Sequence, residues 1–216
     1  PLGRMVAACA ERGIKVLIDG AHGPGQVPVD LAALEELGVH YYVGNAHKWL
    51  GAPRGTGFIW TTQRRQAGLR PTIISHFIDD GYNAAFDWPG TRDFAPWLSI
   101  AEALAYRARF GEQAIDTYCR SLAMEGAGVL AEAWGVKRMV PNAMMGFMTA
   151  IPFPVSNGKR GPAQAEAIWR AFRERGLEPA VHVFEGRILV RASAYIYSTL
   201  ADFEALAAAG KDILAA

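Results

Sequence analysis

VLIDGAHGPGQVPVDLAALEELGVHYYVGNAHKWLGAPRGTGFIW, residues 16–60, alternates short apolar runs with one helical pattern and glycine-rich loops. The run IKVLID (14–19) is short and apolar, as a strand buried on both faces would be. GAHGPGQ (20–26) is a glycine-rich loop. Asp30 stands at an N-cap position ahead of Leu31, Leu34 and Leu37, which share one face of a short helix ending at Gly38. VHYYVG (39–44) is a second apolar strand. Strand, helix and strand in this order form a parallel βαβ unit with a right-handed crossover. Beyond NAHKWLGAPRG (45–55), the run TGFIWT (56–61) is a third strand.

Toward the N-terminus, Met5, Val6, Ala8 and Cys9 recur at helical spacing over 4–12, with Gly13 as the stop. The opening PLGRMVAACAERG has no starting Met and no apolar signal core, so the expectation is a chain that begins inside something larger. Toward the C-terminus, residues 62–95 are irregular, broken by Pro71, Gly81, Pro89 and Gly90. Leu98, Ile100, Ala101, Leu104 and Ala105 argue for a helix from Pro96 to about Phe110, and a second runs from Ile115 to about Trp134. MGFMTAIPF (145–153) is a strand, followed by the turn-rich PVSNGKRGP (154–162) and a helix over 163–175. VHVFEGRILVRAS (181–193) is a hairpin or strand pair, and a last helix starts near Leu200. Its alanine-rich end, ALAAAGKDILAA, carries Lys211 and Asp212 and is expected to be a surface helix. The fold class is α/β, with residues 1–106 holding part of a larger sheet domain and 107–216 a small α/β domain.

Composition narrows the function. With 22 Lys+Arg against 21 Asp+Glu and 51% hydrophobic residues, the 216-residue chain is an ordinary globular one. It has no excess cation to support nucleic-acid binding. No apolar run reaches the ~18 residues of a membrane span. Cys9 and Cys119 are too few for a disulfide framework or a cysteine zinc site, and they suit a reducing, cytoplasmic setting.

In an open parallel sheet, ligands bind beyond the carboxyl ends of the strands. Asp19 ends the first strand and His47 and Lys48 lie just past the second, so a single crossover brings them, with His22, to one rim. A lysine among apolar and aromatic neighbours (Tyr41, Tyr42, Trp49) can act as a Schiff-base nucleophile. A carboxylate facing a pyridine nitrogen keeps that nitrogen protonated, which makes pyridoxal phosphate an electron sink. Two other readings use the same residues. In one, Lys48 is a solvated loop lysine and Asp19 caps its own turn; in the other, Asp19, His22 and His47 hold a metal. The glycines of GAPRGTGF run into a strand, so they are not a phosphate loop.

The segment 16–60, together with DWPGTRDFAPWLSI (87–100) and ILVRASAYIYST (188–199), resembles the class V aminotransferase-fold enzymes, in the isopenicillin N epimerase-like branch. The resemblance implies a fold-type-I PLP-dependent transferase, with pyridoxal 5'-phosphate as cofactor, an amino acid as substrate and a homodimer as the working unit. Asp19 would pair with the pyridine nitrogen and His22 would face the ring hydroxyl or stack near it. Lys48 would carry the cofactor as a Schiff base, and Asn45 and His47 would contact its phosphate. Thr91 would reach the phosphate of the neighbouring subunit, and Arg191 would hold the substrate carboxylate; no metal is implied. Members of this family run to about twice this length, so the resemblance leads to the expectation of a C-terminal half that lacks the ring-stacking aromatic. Related cysteine desulfurases carry a nucleophilic cysteine just before the arginine strand. GLEPAVHVFEGRILVRAS (176–193) has none, which argues against that activity.

Overall fold

The computed structural model describes residues 1–155 and 161–215, in two compact units, Pro1–Phe110 and Gly111–Ala216. The first begins with α1 (Leu2–Ala10), β1 (Leu17–Gly20), α2 (Leu31–Glu36) and β2 (Tyr41–Asn45). The Asp30 carboxylate accepts from the Ala33 N–H at 3.0 Å, so the expected cap is in place. β1 and β2 are parallel, in register from Leu17 opposite Tyr41 to Gly20 opposite Gly44. β3 (Gly57–Thr61) returns antiparallel to β2, giving the sheet order β1-β2-β3. The link from β2 to β3 is a short loop, too short for the crossover that a parallel strand needs.

The sheet is covered on one face. Ile18 and Trp60 pack with Val6, Leu34, Val39 and Tyr42 beneath α1 and α2. On the opposite face Leu17 is 57% exposed, so the doubly buried strand expected from IKVLID is buried on one side only among the described residues. The strand also starts late, at Leu17, and Ile14 is exposed. Aromatic rings take the space that side chains would fill at two glycines. A Cβ on Gly20 would lie 2.1 Å from the Tyr42 ring, and one on Gly44 would lie 2.6 Å from Phe58. Those two rings stack at 6.0 Å.

Residues 62–95 are not wholly irregular, since α3 (Gln63–Gln66) and α4 (Tyr82–Asp87) fall within them. The helix expected from Pro96 is two, α5 (Ala95–Leu98) and α6 (Ile100–Ala108). They part at Ser99, whose hydroxyl bonds back to the Ala95 carbonyl at 2.7 Å, a contact that bends helices. Leu98 and Leu104 are exposed; Ile100, Ala103 and Arg107, at helical spacing, form the inward face.

The second unit comprises α7 (Glu112–Ala133), β4 (Met148–Pro152), α8 (Pro162–Arg173), β5 (Ala180–Phe184), β6 (Arg187–Ser193) and α9 (Leu200–Ala215). Its sheet is antiparallel in the order β4-β6-β5. Residues 156–160 of the turn-rich PVSNGKRGP lie outside the described residues. β5 and β6 join through a two-residue turn, Glu185 (φ 48°) and Gly186 (φ 69°). Leu130, Ile151, Phe172, Val190 and Phe203 centre the core. The alanine-rich α9, expected on the surface, buries Phe203, Leu206, Ala207, Ala209 and Gly210. Small residues permit that approach. The Phe203 ring sits over Gly126 of α7, and the Trp134 ring covers Gly210 while its indole donates to the Ala207 carbonyl at 3.1 Å. Among the described residues no helix is long and apolar enough to cross a membrane.

Candidate functional site

The loops that leave β1 and β2 at their carboxyl ends meet. After β1, Gly23 N–H bonds the Gly20 carbonyl at 2.8 Å, and the buried Gln26 side chain donates to the His22 carbonyl at 2.7 Å, closing a tight turn. Asp19 is exposed on the uncovered face, opposite Val43 in the register, and its Oδ1 accepts from the Ala21 N–H at 3.1 Å. That is the turn-capping role weighed above. A carboxylate has acceptor capacity left after one such bond. Tyr42, beneath the same loop, donates to the Gly20 carbonyl at 3.3 Å. Burial, then the negative charge of Asp19, push its phenol above the usual range, which keeps the donor protonated.

After β2, the Ala46 and His47 N–H groups both point to the Thr56 carbonyl, at 3.1 and 3.4 Å. The His47 ring bonds the same carbonyl through Nδ1 at 2.6 Å, so Nδ1 carries the hydrogen. This loop holds Lys48 half-buried, with Nζ 3.1 Å from His22 Nε2. The Trp49 indole donates to the other nitrogen of that ring, Nδ1, at 3.3 Å. An indole nitrogen is donor only. Nδ1 therefore accepts, and Nε2 is the ring nitrogen that faces the Lys48 amine.

His22, Lys48 and Trp49 are thus brought into direct contact on the rim that also bears Asp19. Asn45 ends β2 on the face shared by Asp19, opposite Gly57, where a Cβ would come within 3.2 Å of its Oδ1. Thr91 is exposed in the turn after Gly90 (φ 101°), between α4 and α5. Arg191 lies in the other unit, mid-strand on β6 between Ala150 and Ala180. It borders a cavity of about 300 Å³ lined by Ala180, Ser193 and Phe203, and another of about 210 Å³ lined by Arg138, Met144 and Met148. Among the described residues no three His, Cys, Asp or Glu side chains are grouped to hold a metal ion.

One residue absent from the sequence reading belongs with these loops. Arg107 of α6 is 1% exposed, and its guanidinium donates to the Trp49 carbonyl and, at 3.2 Å, to that of Gly25. Its signal was a charge at the inward position of a helix, in line with Ile100 and Ala103.

An isopenicillin N epimerase from Amycolatopsis lactamdurans is 30% identical over 99% of this chain and 56% of its own length. An L-cysteine desulfhydrase from Arabidopsis thaliana is 31% identical over 71% of this chain and 34% of its own. In three dimensions the chain is similar to a C-DES variant solved with glycine covalently linked to its PLP cofactor. The TM-score is 0.73 at 17% identity, over 98% of this chain and 56% of the other. The chain therefore spans little more than half the length of the epimerase it matches. This is the fold of the type-I PLP-dependent enzymes. The aminotransferase class-V profile matches residues 1–206, and the chain belongs to that family, whose cofactor is pyridoxal 5'-phosphate.

Proposed function

We propose that this chain carries the cofactor rim and the substrate-carboxylate arginine of an enzyme that acts at the α-carbon of an amino acid, in the manner of isopenicillin N epimerase. The observation that carries the proposal is the Lys48 amine held 3.1 Å from His22 beyond the parallel strands that bear Asp19. The donor set fits the cofactor: an amine for its aldehyde, a carboxylate for its ring nitrogen, an imidazole beside the amine, and Asn45 and His47 at the strand end for its phosphate. When bound, pyridoxal phosphate supplies an electron sink for charge developing at the α-carbon.

The chain's own residues do the rest. Asp19 holds the proton on the ring nitrogen. Lys48 is the Schiff-base lysine and, once released, moves the proton at the α-carbon; its Nζ is held 3.1 Å from His22 Nε2. Arg191 grips the substrate carboxylate with its planar fork. Thr91, exposed in its turn, completes the phosphate contact of a second copy, so the working enzyme is a homodimer. The thiols of Cys9 and Cys119 suit the cytoplasm. Epimerisation, C–S cleavage and transamination share the proton step, and desulfurase chemistry lacks its cysteine in 176–193.

The test compares Lys48→Ala with Lys15→Ala in the full-length protein incubated with pyridoxal phosphate. Lys15 is an exposed residue ahead of β1, away from the rim. Lys48→Ala should lose the visible absorption band of lysine-bound cofactor and lower turnover by about 10²–10⁴-fold or more, with Lys15→Ala unchanged. No band in the unmodified protein would favour a chain that keeps the fold without the cofactor. Equal losses in both variants would assign the effect to folding.

A further inference from the structure

We propose that Arg107 is a positioning residue for Lys48 that acts through Trp49; this rests on Lys48 being the cofactor lysine. The loop around Lys48 has no regular structure. Within itself it is held by turn bonds, Gly51 N–H to the Lys48 carbonyl at 3.2 Å and Ala52 N–H to the Ala46 carbonyl at 3.0 Å. Arg107 adds a fixed external point. Its guanidinium is a rigid plane, and the two carbonyls it binds belong to different loops, Trp49 beside the lysine and Gly25 in the glycine loop. One planar group on two acceptors sets the spacing between the loops.

That spacing is already at its limit. Gly25 has φ 81°, and a Cβ there would lie 2.6 Å from the Trp49 carbonyl carbon and 2.8 Å from the Leu50 nitrogen. The loops therefore touch backbone to backbone, with a buried cation bonded to a carbonyl of each. Trp49 passes the constraint on in two ways. Its backbone adjoins Lys48, and its indole holds His22 Nδ1, so Nε2 of that ring meets the lysine amine. Displacing Trp49 moves both partners of the His22–Lys48 contact at once.

A lysine at position 107 would keep the charge yet bond as a point donor, not a fork. The test uses full-length Arg107→Lys, with hydrogen exchange read first in the cofactor-free protein. Amides of 46–52 and 20–26 should exchange at least about tenfold faster, with those of the second unit unchanged. In the loaded enzyme kcat should fall by about 10–100-fold with KM within about twofold, since misplacement of a reacting group costs rate. Unchanged exchange at 46–52, or unchanged kcat, in a folded variant overturns the proposal. If Arg107→Lys does not fold, Trp49→Phe decides, because it keeps the carbonyl and removes the indole donor. The pH titration of its visible band must move, and an unmoved titration overturns the proposal. Failure of the unmodified protein to bind pyridoxal phosphate is a separate result that removes the role of Lys48 itself.

Discussion

Gly25 stands at φ 81°, where an L side chain is strained, and faces the Trp49 carbonyl at a distance that admits no Cβ. Both costs fall on backbone, which cannot swing aside as a flexible side chain would. Gly25→Ala should therefore destabilise the protein by about 2–4 kcal/mol, read as a lower urea midpoint at an unchanged slope. His40 is a second residue with a defined consequence. Its Nδ1 accepts from the Val16 N–H at 3.3 Å, at the entry to the parallel pair. Burial, then the cations Arg65, Lys15 and Arg64, hold its pKa below the ordinary 6.5 despite an opposing bond at Gly38. The folded state thus resists a proton that the unfolded state takes up below pH 6.5, so this contribution to stability declines as pH falls through that point. The thermal midpoint should drop between about pH 7.5 and 5.5, and His40→Gln should flatten that limb. An identical slope in the variant would count against His40 as the group responsible.

Among the elements, the β5–β6 turn places both central residues at positive φ, the geometry that matches strand twist in a two-residue hairpin. Gly186 suits it and Glu185 does not. Glu185→Asn should add about 0.5–1 kcal/mol, seen as a higher thermal midpoint with the hairpin register unchanged. The hairpin itself was legible, as were the βαβ order, the Asp30 cap and the long helix α7, because each leaves a local pattern of apolar spacing, a cap or a break. The rim residues His22 and Lys48 were legible for a related reason, since strand order alone sends both to one end of the sheet. Arg107 was not. Its partners are backbone carbonyls, which carry no side-chain signature, and two of the apolar positions that argued for a helix here, Leu98 and Leu104, are exposed. The burial of α9 was missed for a comparable reason. Charges at Lys211 and Asp212 suggested a solvated tail, while the contact is made by alanines and glycines that admit a close neighbour.

For the molecule as a whole, β1 pairs with β2 on one side only among the described residues, and its Leu17 and the preceding Ile14 are exposed. An unpaired apolar edge recruits other strands. These 216 residues expressed by themselves should sediment with a mass that rises with concentration, and Leu17→Lys should reduce the effect. A strictly monomeric profile over the whole range would contradict this. The bonds of Arg107 bear on time as well as on place. They reach back 58 residues to Trp49 and 82 to Gly25, whereas the contact of Val16 with His40 that opens the parallel pair spans 24. Long closures are slow relative to short ones, so the strands can pair while the lysine loop is still held by local turns. On the ribosome, β1, β2 and Lys48 all emerge before α6 exists to dock. The fixed position of the Lys48 amine is thus a late product of folding, and an incomplete nascent chain presents the sheet without it on its rim.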